Sequence, residues 1–457
     1  SRPSSLWDSG GIILKSPDGK LLPYQPMSTL QDTWNTLIFA GPGSGKSVFT
    51  NMTHIALCTS AGIERLPRIS IIDIGFSSKG FIDLMIDALP TSQKHYALYT
   101  RIANTDEYCM NPFDTKVGGR FPFAVDRQYM INLVSLIMTD PNAETKIPGL
   151  NDFISAVIDE AFKYYCDSPS FSKSQPKPYT RGTNYEVDNT LAKINANILL
   201  QNSRLNVDYD EDDDDDDFNS ATYTSWWQIV DMLAEAGFWH EAMLAQRYAV
   251  PVLTDLTSIA NLQTIQDLYG KLTIGSETIT EVFVRMISST ITNFPLLSGF
   301  TKYDLGEARI ISLDLDQVAK KGSKQADLQT SIMYMYAIKL TSGDFFLDIK
   351  NVDEVPMPDK YEVNSYTPIN EYKNYHSDRI NKIKEDKKRL SIDEFHRANS
   401  PEVSQQVQIY MREGRKWNTE MILASQSITD FSDPLIELAT TIFILSAGKN
   451  MVIDNIV

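Results

Sequence analysis

Residues 40–47 run Ala40-Gly41-Pro42-Gly43-Ser44-Gly45-Lys46-Ser47, a glycine-rich turn between the short apolar run Leu37–Ala40 and a helix-like stretch from Lys46 to Leu57. This is P-loop spacing, with Ala in place of Gly at the first position. Small residues let consecutive backbone N–H groups curl around phosphate oxygens, and the helix that follows points its positive end at the same anion. Gly41, Pro42, Gly43, Ser44 and Gly45 form the expected cradle, with Val48 completing it. Lys46 is expected to reach the β- and γ-phosphates of ATP, and the Ser47 hydroxyl to meet Mg²⁺. A glycine-rich turn carrying a chance lysine has no need of a strand before it and a helix after it, and both are present.

Outward from the loop, strands alternate with helices. Ile69–Ile74 reads as a second strand stopped by Gly75, and Tyr96–Ile102 as a third, followed by the turn signal Asn111-Pro112. From Arg127 to about Phe300 apolar residues recur at helical spacing (Met130, Leu133, Ile137; Phe153, Val157, Phe162). Strand character returns at Arg309–Leu315, with a helix over Gln325–Leu340, a polar insert over Asp344–Asp378 and a charged helix to Lys388. Then come Leu390–Ile392, a helix over Pro401–Lys416, and strands at Met421–Ala424 and Thr441–Leu445. Strands alternating with helices imply a parallel sheet. The expected class is α/β: a mostly parallel P-loop core in two parts, 1–125 and 304–457, with an all-α domain inserted over 126–303.

The 457 residues carry 42 Lys plus Arg against 59 Asp plus Glu, a net charge of −17. Nine of those acids lie between Asp208 and Asp217, which leaves about −8 on the rest of the chain. A basic nucleic-acid domain is thereby excluded as a whole-chain description, though a local basic channel is not. The acidic run and the Ser-, Pro- and Lys-rich stretch Cys166–Asn184 both read as solvated loops. Three cysteines (Cys58, Cys109, Cys166) exclude a disulfide scaffold and fit a reducing compartment. No run of about 18 apolar residues and no signal peptide is present. The chain opens on Ser1 and ends just after an apolar stretch, as a segment of a longer protein would.

Hydrolysis needs an acid for the metal and a group for the water. Three strand ends carry acids: Asp73, Asp314 with Asp316, and Asp393-Glu394. Only the last supplies adjacent carboxylates. Asp393 is expected to hold Mg²⁺, directly or through water, and Glu394 to orient or deprotonate the attacking water. Asp73 and Asp314 read as turn residues. Gln426 follows the next strand, 33 residues beyond Asp393, enough for one crossover. In a parallel sheet this sets its amide beside the acids, where it can sense the γ-phosphate. Arg412 and Arg415 end the intervening helix, and two readings stay open for them. Basic residues favour a helix C-terminus, and an arginine can also cross a subunit boundary to stabilise a neighbour's transition state. Arg415 is the stronger candidate. His396 and Trp226-Trp227 read as packing residues, and Arg379–Arg389 as a solvated helix face.

The strings Phe39–Ser47, Ile72-Asp-Ile-Gly-Phe-Ser77, Asn111-Pro-Phe-Asp114, Ser391-Ile-Asp-Glu-Phe-His-Arg397 and Arg412-Glu-Gly-Arg-Lys416 resemble the inner-membrane ATPases of type IV secretion and conjugation. They look most like the IcmB/DotO and TraU branch of the type IVB (Dot/Icm) systems. The match is scattered from the Trp7 region to Phe443 and is weakest through the helical block. The P-loop and the acid pair are shared with many ATPases, whereas the last two strings are more specific. The resemblance implies a RecA-like motor with an inserted helical domain. It further implies a hexamer at the cytoplasmic face of the inner membrane, whose membrane contacts come from parts outside this segment. Other secretion components, a second secretion ATPase, and translocated effector proteins or conjugative DNA are the partners it implies. A DNA-pumping translocase of the HerA–FtsK kind, and a scaffold that binds ATP without turnover, are the alternatives. Salt-dependent DNA binding would favour the former. Glu394 speaks against the latter, because a pure binder has no use for an activated water.

Overall fold

The computed structural model describes residues 11–16, 18–60, 65–140, 148–194, 223–398 and 400–446. Eleven strands occur among them: β1 (Ile12–Lys15), β2 (Leu21–Tyr24), β3 (Asn35–Ala40), β4 (Arg68–Asp73), β5 (Ala97–Arg101), β6 (Thr273–Ile274), β7 (Glu277–Thr278), β8 (Ile310–Asp314), β9 (Lys388–Ile392), β10 (Thr419–Ser425) and β11 (Thr441–Ser446). Seven of them form one sheet in the order β11-β3-β10-β9-β4-β8-β5, and every neighbouring pair is parallel. β1 and β2 make a small antiparallel ribbon beside it.

The near-continuous apolar runs of β3, β8 and β10 fit strands buried on both faces, and every residue of those strands is buried. Alternate side chains meet different layers. Leu37 and Phe39 join Ile72, Leu313, Ile392 and Leu423 in the main core, against the helices Ala124–Ile137, Lys324–Ser342 and Pro401–Glu413. Ile38, Ile422 and Ala424 face Phe49 of the helix Lys46–Cys58, and Ile69, Ile71 and Ile310 face Phe81 and Ile82 of the helix Lys79–Ala88.

Among the described residues of the span expected to be all-α, the regular elements are helices apart from the two-residue strands β6 and β7, which pair antiparallel. Its first helices share the main core with the sheet. Its middle part, Val187 to Val250 with Trp226 and Trp227 both buried, forms a second core, and the helices from Leu253 to Leu297 return to the main one. Most of the polar insert joins that second core, with Leu347, Val352, Val355 and Tyr372 in the same cluster as Val230 and Leu233, while Phe345 and Phe346 at its start belong to the main core.

Two expectations are corrected. Cys166–Asn184 is no simple solvated loop, since Cys166 is buried and Lys177 pairs with Asp255 at 2.6 Å. Arg379–Arg389 is not one solvated face, because the helix ends at Glu385 and Lys388 and Arg389 enter β9 with 1% and 0% exposure. The acidic run 208–217 lies outside the described residues. No helix among the described residues is long and apolar enough to cross a membrane.

Candidate functional site

β3 ends at Ala40, and the helix begins at Lys46 with Gly45 at its N-cap. Gly43 and Gly45 take φ of 76° and 85°, backbone states in which a side chain is strained. No side chain caps this helix start. The first-turn N–H groups are thus left for an anion in the loop, as P-loop chemistry requires. Ser47 is half-buried and Val48 is exposed, so Val48 can contribute only its backbone to a phosphate cradle.

The sheet order carries the acid pair to this loop. β10 lies between β3 and β9, with Leu423 opposite both Leu37 and Ile392. Gln426 and Asp393, each just past its strand, therefore emerge at the carboxyl edge beside the loop. Lys46 Nζ lies 2.8 Å from Asp393 Oδ1 and also contacts Glu394 Oε1. Gln426 Nε2 donates to Glu394 Oε2 at 2.9 Å. Lys46, Asp393, Glu394 and Gln426 thus meet at one point.

Burial opposes the charge on Lys46, but Asp393 and Glu394 outweigh it and hold the ammonium above its ordinary range. Burial likewise pushes Glu394 up, while the hydrogen bonds from Lys46 and Gln426 and the Lys46 charge bring its carboxyl below the usual value. Glu394 is therefore ionised near neutrality, as a group that orients or deprotonates water must be. It also has φ of 51°, a left-handed state that costs a non-glycine residue about 1–2 kcal/mol.

The other strand-end acids behave as turn residues. Asp73 binds the Ile74 and Ser78 N–H groups and the Ser78 hydroxyl, and contacts Ser77 Oγ. Burial, then the nearby Asp393 charge, push its carboxyl up to about 6. Asp314 accepts from Gly75 and Asp316 N–H, Tyr99 and Arg101.

Arg412 and Arg415 are not brought to this cluster. They are exposed near the opposite edge, where Asn35, at the start of β3, donates to Met411 O at 3.0 Å. Among the described residues, Arg415 pairs there with Asp32 at 3.2 Å.

Two neighbours were misread or unseen in sequence. His396 is not merely a packing residue: its Nδ1 lies 3.5 Å from Glu394 Oε2 and 3.3 Å from Ser425 Oγ, which in turn donates to Asp430 at 2.6 Å. Tyr334, buried on the helix Lys324–Ser342, donates to the Asp393 carbonyl at 3.0 Å. Its position, 59 residues before Asp393, gives no local signal of this.

No protein-family model and no curated protein matches the chain. Among solved structures the fold is similar to that of VirB4 of Thermoanaerobacter pseudethanolicus, with a TM-score of 0.50 and 15% identity over 97% of this chain and 86% of that one. The architecture is a mixed α/β fold with a RecA-like seven-stranded parallel core.

Proposed function

We propose that this chain is an ATP-hydrolysing motor of a type IV secretion system, in the type IVB branch that its sequence strings resemble. The observation that carries the proposal is the convergence of Lys46, Asp393, Glu394 and Gln426 at one sheet edge, with Lys46 2.8 Å from Asp393 and Gln426 2.9 Å from Glu394. The likeness to VirB4, a type IV secretion ATPase, adds support at the level of fold.

In this reading the loop 41–48 binds the triphosphate through its N–H groups, and Lys46 exchanges its carboxylate contacts for phosphate oxygens. Hard oxygen donors suit Mg²⁺, and Ser47 Oγ with Asp393 would hold it beside the phosphates. When bound, the ion neutralises charge developing on the transferred phosphoryl group. Glu394 aligns water with the γ-phosphorus and takes its proton as the bond to the ADP oxygen breaks, giving ADP and phosphate. Gln426, tied to Glu394, reports whether the γ-phosphate is present.

Arg415, with Arg412 second, is assigned to a neighbour's site, because both lie away from the cluster of their own chain. A homo-oligomer, with a hexamer as the expected form, then works at the cytoplasmic face of the inner membrane. Other secretion components and a second ATPase accompany it, and effector proteins or conjugative DNA are its cargo. The test is steady-state ATP turnover against protein concentration for the wild type and Glu394→Gln. Turnover per subunit rises with concentration and falls at least a hundredfold in the variant, which still binds ATP. A high value independent of concentration would sink the shared site, and an active variant would sink the role of Glu394.

A further inference from the structure

The peptide unit joining Asp393 to Glu394 is pinned on both edges. Its carbonyl oxygen accepts the Tyr334 hydroxyl at 3.0 Å, and its N–H donates to Asp393 Oδ1 at 2.8 Å. Rotation about the next bond sets φ of Glu394, which stands at 51°. An unpinned peptide could turn and let Glu394 relax to negative φ, swinging its carboxylate away from Lys46 and Gln426. The Asp393 carboxylate cannot prevent this alone, since it belongs to the same short turn and would move with it. The Tyr334 anchor comes from outside. Residues Thr330–Ile338 of its helix are all buried, and Tyr336 on the same helix donates to Tyr108 O at 2.7 Å. The hydroxyl is therefore a fixed point against which the acid turn is held.

We infer that Tyr334 is a positioning residue for hydrolysis, acting through Glu394 by clamping the Asp393 carbonyl so that the left-handed Glu394 keeps its carboxylate aimed at the attacking water. The inference rests on the hydrolytic reading above. A buried tyrosine also needs a partner merely to satisfy its hydroxyl, so the test must separate these roles.

Tyr334→Phe keeps the ring and removes only the oxygen. Turnover is measured on the assembled protein for the wild type, Tyr334→Phe, Glu394→Gln and the double variant, with ATP affinity and melting temperature alongside. Expected are a kcat lowered about tenfold in Tyr334→Phe, KM for ATP within about twofold of wild type, and no further loss when the substitution is added to Glu394→Gln. Equal losses in both backgrounds, an unchanged kcat, or a change confined to KM or melting temperature would reject the clamp while leaving the role of Glu394 intact. Wild-type turnover that Glu394→Gln leaves untouched would instead reject the hydrolytic reading, and the role of Tyr334 with it.

Discussion

At the scale of single residues, the sheet lets the chain bury charge beside a cross-strand partner. Arg389 on β9 is wholly buried and makes two bonds to Glu420 Oε2 on the adjacent β10, at 2.8 and 2.6 Å, and others to Thr53 and His54. The pair is in direct register, Glu420 lying opposite Arg389 across the β9–β10 ladder. A buried pair of this kind adds little over a well-packed apolar pair, but removing one member strands the other. Glu420→Ala is therefore expected to cost about 3–5 kcal/mol in denaturant unfolding. A loss below about 1 kcal/mol would mean that water or a neighbour takes over the guanidinium. The candidate site shows the same logic in a reactive form. Lys46 is surrounded by carboxylates, so its charge is secured while its contacts remain exchangeable for phosphate.

At the scale of elements, the insert is fastened to the helical block by polar contacts as well as apolar ones. Arg120, wholly buried, pairs with Asp167 at 3.0 Å and Asp231 at 2.7 Å, and Tyr372 and Thr367 of the insert donate to Asp231 at 2.6 and 3.1 Å. His376, on the helix Ile369–Glu385, is buried with Nε2 2.7 Å from Val117 O. Burial, aided by the Arg379 and Lys116 charges and opposed by the Val117 bond and Asp344, holds its imidazole down at about 4. An unfolded histidine titrates near 6.5. Above that value both states are neutral and the contribution is fully present. As pH falls from about 6.5 to 4 only the unfolded chain gains the proton, and stability drops by about 3 kcal/mol in total. Unfolding of wild type and His376→Gln across this range should show that slope in the former and not the latter. Parallel slopes would show that other groups carry the acid sensitivity.

At the scale of the whole molecule, the arginines and the acid pair occupy opposite ends of the strands, so the proposed shared site would take them from two different subunits. Arg415→Ala is expected to leave melting temperature unchanged, because the side chain is exposed and its partner Asp32 is almost fully so. It is expected to lower turnover of the assembled protein at least tenfold. Mixing it with Glu394→Gln should restore turnover above either variant alone, since one subunit then supplies the arginine and the other the acid. Wild-type turnover in Arg415→Ala alone would remove the trans assignment. What the sequence determined by itself was local. The glycines of the loop dictate backbone states, the apolar runs dictate doubly buried parallel strands, and Asp393-Glu394 and Gln426 follow strands whose sheet edge the alternation already fixes. Only the tertiary structure decided what depends on which distant elements are packed together. It placed Tyr334 on the Asp393 carbonyl, brought His396 to Glu394, buried Lys388 and Arg389, and set the insert on the second core. A strand or helix pattern is written in neighbouring residues. The partner of a buried hydroxyl or charge is fixed only once the sheet order has brought remote segments within hydrogen-bonding reach.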